Sequence, residues 1–387
     1  MTTDSLNINL SHDPADLAVL RPEWDDLVAA RETNLFCLTW EWATTWWGAY
    51  GDGRQLWLIT ARTPSGELVG LVPLVDKRRK VGPIRWRELV LLGADDVEPD
   101  HVDLLTKPGW EEAVVQGAID TLRVHGRQWD TIRLASLRAD SVHLPILERS
   151  GFPVRATEGP LCPYITLPGD WETYSQSLGK DLRKKLRRYT NRLERAYPGQ
   201  IAYRRVADPA DLDRTLAVLM DFHQERFEAR GGVGAFGTPE RRAFHQAITR
   251  LGLERGWMRL LVLNVAGRDV AAIYTMQHQD KVCDYQSGFD PAFAEFSLGH
   301  LMTAYSIQRG IEEEGVVEYD LLRGAEGYKL RYTEEEPRRD VDLELIGSAR
   351  AGIKLAIVDA MTSVWSVVKH VLPKPLRRRL AHSAKET

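Results

Sequence analysis

Apolar and polar positions along this chain alternate between two periods. Residues 56–63 (LWLITART) and 68–75 (LVGLVPLV) are short β-rich runs separated by Pro64, Ser65, Gly66 and Glu67. Proline presets φ and glycine tolerates positive φ, so the pair predicts a hairpin. An apolar run at 88–92, a loop with Gly93 and Pro99, a helical period over about 111–124 and a strand-like 129–137 follow. The second half repeats this order: 258–265 (MRLLVLNV), a turn at Gly267-Arg268-Asp269, strands at 270–278 and 282–289, a helix from about 297 to 314, and a strand at 316–322. Between the halves, helical segments are predicted over about 171–196, 209–229 and 238–255. Asp208-Pro209 opens the second with an N-cap and a preset first turn.

Strand, turn, strand, strand, helix, strand thus occurs twice. An internal duplication of about 150 to 200 residues accounts for it, because each unit is the size of an ordinary domain. The fold class expected is α/β (α+β), with two tandem domains at 1–165 and 166–347, each a mixed twisted sheet flanked by helices. From Arg350 onward Ile353, Ile357, Ala360, Val364, Val368 and Val371 recur near helical period, and Pro373 to Arg379 ends in three arginines. The segment 348–387 therefore reads as an amphipathic helix with a basic tail. It fits a helix packed on the protein with a solvated end, and it also fits peripheral contact with a membrane surface.

With 43% hydrophobic and 27% charged residues among 387, the chain reads as a soluble protein and not a multi-span membrane protein. Lys plus Arg number 51 against 55 Asp plus Glu, a formal charge of −4, so nucleic-acid binding across the whole surface is not expected. The three cysteines, Cys37, Cys162 and Cys283, form no Cys-x-x-Cys or Cys/His spacing. They are expected to be reduced, with no metal site. The polar N-terminus lacks a signal pattern and no run of about 18 uncharged apolar residues occurs, so a cytoplasmic location is expected.

Four stretches carry candidate chemistry. Lys180 to Tyr189, continuing to Arg192 and Arg195, places Leu182, Leu186, Tyr189 and Leu193 on one helical stripe and cations elsewhere. That surface suits a polyanion, and equally a solvated charged helix. Ser297, Leu298, Gly299 and His300 open a helix directly after a strand, where free amides and the helix dipole favour a diphosphate; an N-capped helix start looks the same. Asp320 ends an apolar strand and is followed by Gly324, Gly327, Tyr328 and Lys329, a carboxylate, a phenol and a cation within ten residues. His223 and Arg226 share a helix that precedes Gly231, Gly232 and Gly234, a loop suited to closing over substrate. No GxSxG, HExxH or GxxxxGK[ST] is present, which argues against serine hydrolases, zincins and P-loop NTPases.

LRKKLRRYTNRLER, DFHQERFEARGGVGAF, RLLVLNVAGRDVAAIYTMQ, DYQSGFDPAF and SLGHLMTAYSIQRGIEEEGVVEYDLLRGAEGYKLRY, in that order, resemble the GNAT acyltransferase superfamily. More narrowly they resemble the CelD/BcsL-type cellulose-biosynthesis acetyltransferases, relatives of the Fem-type peptidyltransferases. TWEWATTWWGAYG, ELVGLVPLV and HVDLLTKPG resemble the first half of those tandem-GNAT proteins. The chain departs from them at Leu298-Gly299, where a Pro-Gly is usual, and at Tyr332, where a Trp is usual.

The resemblance implies acetyl-CoA or another acyl-CoA as co-substrate, its diphosphate on Ser297, Leu298, Gly299 and His300, and its pantetheine between strands that part near Phe289 and Val316. It implies a small-molecule or saccharide acceptor carrying an amine or hydroxyl. Asp320 is expected to accept or orient the acceptor's proton, Tyr285 or Tyr328 to protonate the thiolate, and Lys329 to meet negative charge. His223, Arg226 and Phe236 are expected to face the acceptor. Two rivals stand beside this: a Fem-type enzyme using aminoacyl-tRNA, though no long heptad-patterned arm is present, and a non-catalytic scaffold for an anionic polymer or membrane. Trp40, Trp42, Trp46 and Trp47 fit either sugar stacking or core packing.

Overall fold

The computed structural model describes residues 6–30, 36–81, 83–229, 232 and 234–371. The first half contributes strands β1 (Asn7–Ser11), β2 (Leu56–Arg62), β3 (Leu68–Val81), β4 (Ile84–Leu91), β5 (Leu105–Thr106), β6 (Thr131–Arg138) and β7 (Val154–Cys162). The second half contributes β8 (Tyr164–Thr166), β9 (Ile201–Arg205), β10 (Met258–Val265), β11 (Arg268–His278), β12 (Lys281–Phe289), β13 (Glu318–Asp320) and β14 (Arg338–Ile346). Two sheets result. One runs β1-β2-β3-β4-β6-β14-β7 with β5 beside β3, and the other β8-β13-β12-β11-β10-β9. Helices α1 (Ala15–Val19), α2 (Arg21–Ala29), α3 (Trp40–Tyr50), α4 (Glu111–Val124) and α5 (Leu144–Glu148) accompany the first. Helices α6 (Trp171–Ser177), α7 (Lys180–Ala196), α8 (Pro209–Glu228), α9 (Pro239–Glu254) and α10 (Leu298–Glu314) accompany the second, and α11 (Ala349–Val371) follows.

The tandem α/β architecture is as the repeated pattern predicts, with one exchange. β14, expected within a second domain ending at 347, pairs antiparallel with both β6 and β7 in the first sheet. Its alternation explains why: Leu343 and Leu345 join the apolar cluster of Ile132, Leu134 and Ile119 under that sheet. The helix predicted over 171–196 is two helices, because Leu178 is extended (φ −58°, ψ 140°) and Gly179 restarts the chain at Lys180.

Caps fix the helices that reach the site. The Asp208 carboxylate accepts from the amides of Ala210 and Asp211 and starts α8, and the Thr238 hydroxyl accepts from the Arg241 amide and starts α9. The two halves share a core. Trp42 and Trp46 of α3 are fully buried, Trp42 edge-on to Phe244 of α9 at 4.8 Å, and their indole N–H groups donate to the carbonyls of Gly93 and Asp95. Core packing, not sugar stacking, is thus what these two tryptophans do. Truncating such a ring costs about 3–5 kcal/mol.

α11 buries Ala351 and Leu355, is tied by Lys354 to Asp130 at 2.7 Å, and exposes Ile353, Ile357 and Met361. The basic end at 373–379 lies outside the described residues. Among those described, no helix is long and apolar enough to cross a membrane.

Candidate active site

The parallel pair β12 and β13 is joined only at Lys281–Glu318, Val282–Tyr319 and Cys283–Asp320. β13 ends there, whereas β12 runs on to Phe289, paired only with β11. The sheet therefore parts from Asp284 onward, and a cavity of about 390 Å³ opens between the two halves of the molecule. Opposite Tyr274 and Thr275 the β12 register jumps from Gln286 to Asp284, so Tyr285 is the extra residue of a β-bulge. The bulge breaks strict alternation, and consecutive side chains from Cys283 to Ser287 line the cavity.

Of the residues predicted from sequence, Tyr285, Tyr328, Lys329, His223 and Arg226 are brought together around this cavity. Asp320, Phe236 and the turn from Ser297 to His300 are not on its wall. Asp320 is sealed behind it: Oδ1 accepts from the Leu322 amide at 2.8 Å and Oδ2 lies 3.1 Å from His101 Nε2. On its other side His101 Nδ1 is 2.8 Å from Asp340 Oδ1. Burial opposes charge in this group, but Asp320 and the hydrogen bonds to Asp320 and Asp340 outweigh it and hold the His101 pKa well above its ordinary value. Burial likewise opposes the Asp320 carboxylate, and His101 and Lys281 outweigh it and lower its pKa.

The carboxylate that does face the cavity is Asp284, which no local motif marks within its strand. Burial raises it to about 6, against the Lys329 charge and a Tyr319 hydrogen bond and with help from Asp320. A group so placed is ionised at neutral pH and still basic enough to take a proton. Lys329 is committed elsewhere: Nζ donates to the carbonyls of Leu321 at 2.8 Å and Arg323 at 2.6 Å, fixing the loop after β13. The Tyr285 hydroxyl donates to the Val97 carbonyl at 3.3 Å and burial drives its pKa well up. Tyr328 stands at the mouth, 44% exposed, with its pKa also raised by burial.

His223 stacks on Phe227 at 4.4 Å and meets Phe236 edge-on at 5.0 Å. Burial, then the Arg226 charge, pushes it down to about 4, so it is neutral at physiological pH. His245, also on the wall, is pushed to about 3 by burial and by Arg241. Phe236 is buried between these two imidazoles and orients them from behind. Of the Gly-rich loop, Gly232 and Gly234 are described and Gly231 is not.

At the far end of β12, Ser297 opens α10 in left-handed backbone (φ 51°). The Leu298 and Gly299 amides open the helix, while the His300 amide donates to the Ser297 carbonyl at 3.0 Å. Burial, then Arg331 and Lys185, hold the His300 pKa below its ordinary value, which places two cations by this turn. The Tyr189 hydroxyl bonds Ser297, and Tyr332 donates to the His300 carbonyl at 3.0 Å. A Cβ on Gly299 would lie 3.2 Å from the Phe289 ring, so a larger residue would crowd the turn. Free amides, a bare glycine and two cations fit a diphosphate.

A second chemistry is present near by. His101, Cys162 and Asp340 bring ligand atoms within 4.8 Å of one another. Burial raises the Cys162 thiol to about 12, which disfavours the thiolate a metal needs, and the imidazole is already held by two carboxylates.

Residues 180–330 match the model of the acetyltransferase (GNAT) domain family. That segment, less than half of the chain, is similar to GNAT acetyltransferase domains. In fold it is similar to FemX (TM-score 0.59, 12% identity, 87% of this chain and 97% of that one). It is also similar to the C-terminal DUF2156 domain of a putative lysylphosphatidylglycerol synthetase from Agrobacterium fabrum (0.53, 14%, 89% and 96%). A third likeness is to a tandem GNAT protein from the clavulanic acid biosynthesis pathway (0.50, 13%, 89% and 99%). At these identities the likeness is one of fold. No curated protein sequence matches the chain.

Proposed function

We propose that this GNAT domain transfers an acyl group from acyl-CoA to an amine or hydroxyl on a small or saccharide acceptor in the cavity between the domains. The observation that carries the reading is the parting of β12 from β13 after Cys283 and Asp320, with a carboxylate, Asp284, on the exposed edge. Acyl-CoA supplies an activated thioester. The Leu298 and Gly299 amides, with Lys185 and Arg331, hold its diphosphate beside His300, and the free edge of β12 takes the pantetheine.

Asp284 takes the proton from the attacking nitrogen or oxygen as the new acyl bond forms. Tyr328 returns a proton to the sulfur as the C–S bond breaks. Lys329 holds the 321–323 carbonyls in place, and neutral His223 and His245 with Arg226 contact the acceptor. The acceptor class and the narrower CelD/BcsL resemblance belong to this reading.

A screen of acyl-CoA thioesters for thermal stabilisation and free-thiol release tests it. Stabilisation with thiol release is expected; a chain that neither binds nor cleaves any thioester overturns it. The exposed cations of α7, among them Arg183, Lys184, Arg187 and Arg188, favour one rival, an aminoacyl-tRNA donor. Tight, steeply salt-dependent tRNA binding in place of acyl-CoA binding would support that rival.

A further inference from the structure

Segment 98–101 of the first domain grips the loop that follows β13 in the second. Asp100 accepts from the Arg323 amide at 2.8 Å and from its Nε at 2.7 Å. His101 stands between Asp340 of β14 and Asp320 at the end of β13, with Cys162 at the end of β7 alongside and the Cys37 thiol donating to the Asp100 carbonyl. The backbone here is unusual. Asp96, Glu98 and His101 have φ of 65°, 47° and 59°, and Leu322 on the facing loop has 54°. None is glycine, and side chains hold such conformations only where surrounding contacts dictate them. The loop they define presents the carbonyls that seat Lys329, beside Asp284.

We propose that His101 is a positioning residue through which the first domain sets the 320–323 loop against Asp284, so that the acetyltransferase site is complete only with its neighbouring domain in place. The proposal rests on the acyl-transfer reading above. His101 stands at the floor of the cavity, buried between two carboxylates, and acts through Asp320, whose Oδ1 receives the Leu322 amide. β14 belongs to the first sheet for the same reason: it delivers Asp340 to the other side of the imidazole, and Asp340 also accepts from the His101 amide at 2.9 Å.

The full chain and its H101Q and D340N variants are compared by amide hydrogen exchange at Leu322 and Arg323, by thermal melting, and by thiol release from acetyl-CoA. Exchange about tenfold faster at both amides is expected, with thiol release about tenfold slower, KM for acetyl-CoA within about twofold and a cooperative melt retained. Three results overturn the proposal: unchanged exchange, a rise in KM that accounts for the lost rate, or loss of the cooperative melt in both variants, which would make the clasp a folding element. If the parent chain releases no thiol from any acyl-CoA, the transfer reading fails, and the exchange comparison still decides whether His101 sets the loop.

Discussion

Arg323 is held twice by Asp100, once through its own amide and once through its guanidinium, so that one carboxylate fixes both the backbone and the side chain of the loop after β13. Arg323 also donates to the Pro99 carbonyl and the Ser136 hydroxyl, both at 3.1 Å. These partners of its amide and guanidinium all lie in the first domain.

Breaking this contact should loosen the domains before it unfolds either. Asp100 is buried, and burial raises its pKa against the pull of Arg323 and His101. D100N removes the charge that compensates the guanidinium, for an expected loss of about 1–3 kcal/mol in urea unfolding. R323K keeps the charge but loses the paired geometry and should fall between parent and D100N. Parent-like stability in both would show that the contact is incidental.

Asp284 supplies a pH prediction with a definite sign. Its folded pKa of about 6 lies above the ordinary 3.8, so folding favours the protonated form. The carboxyl adds no penalty below about pH 3.8, and the penalty grows as pH rises to about 6, where it levels off at about 3 kcal/mol. D284N should therefore be more stable than the parent at pH 7.5 and indistinguishable from it at pH 3.5. As a base, the same group should give thiol release that climbs through about pH 6, and D284N should lose that limb together with at least about 100-fold in rate. Chemical denaturation at the two pH values and a pH–rate profile measure both halves. A less stable D284N at neutral pH would mean that its hydrogen bond to Tyr319 outweighs its burial.

Gly288 offers a test of the scaffold alone. A Cβ at this position would stand 2.4 Å from the Leu219 carbonyl oxygen, because α8 lies directly against β12. Backbone cannot yield as a flexible side chain does, so G288A should destabilise by about 1–3 kcal/mol. It should also push α8, with His223 and Arg226, away from the cavity. Thermal melts and acceptor KM report the two effects, and a fully stable G288A would mean that α8 slides freely over the sheet.

Much of this fold is visible in the sequence because it depends on local periodicity. The hairpin at Pro64–Gly66, the helix at 111–124, the β10-β11 pair and α10 all follow from alternation, caps and turns. The place of β14 is not legible, because RRDVDLELI carries the alternation of a strand but nothing that names its neighbours, which lie some 180 to 210 residues earlier. The site divides in the same way. Tyr328, Lys329, His223 and Arg226 stand near glycines, turns or helical polar faces, and Tyr285 is legible only through the family resemblance. Asp284 sits inside a strand, KVCDYQSGF, with no turn or cap beside it, and the bulge at Tyr285 breaks the alternation that would assign its face. His101 and Asp100 lie in a loop whose partner, residues 320–323, is over 200 residues away. Asp320 ends its strand as expected, yet its burial behind His101 depends on the packing of two domains, which no local pattern encodes.

The turn that opens α10 is where the proposed donor would rest its diphosphate. Lys185 and Arg331 act on His300 from two different elements, α7 and the segment after Tyr328, and both depress its pKa. Cations that converge on a helix start already offering free amides should contribute to diphosphate binding mainly through charge. The double variant K185A/R331A should then raise KM for acetyl-CoA about 5- to 10-fold and leave kcat within about twofold, because neither residue approaches the thioester end. Raising salt from about 0.05 to 0.5 M should weaken the parent's donor affinity and narrow its difference from the variant, since the screening length falls from about 14 Å to about 4 Å over that range. G299V tests the other contribution: its side chain would press on the Phe289 ring and obstruct the amides, so its KM should rise at every salt concentration. If the charge variant instead lost kcat at constant KM, the two cations would be acting on the reacting end and the donor would have to lie in the opposite direction along β12.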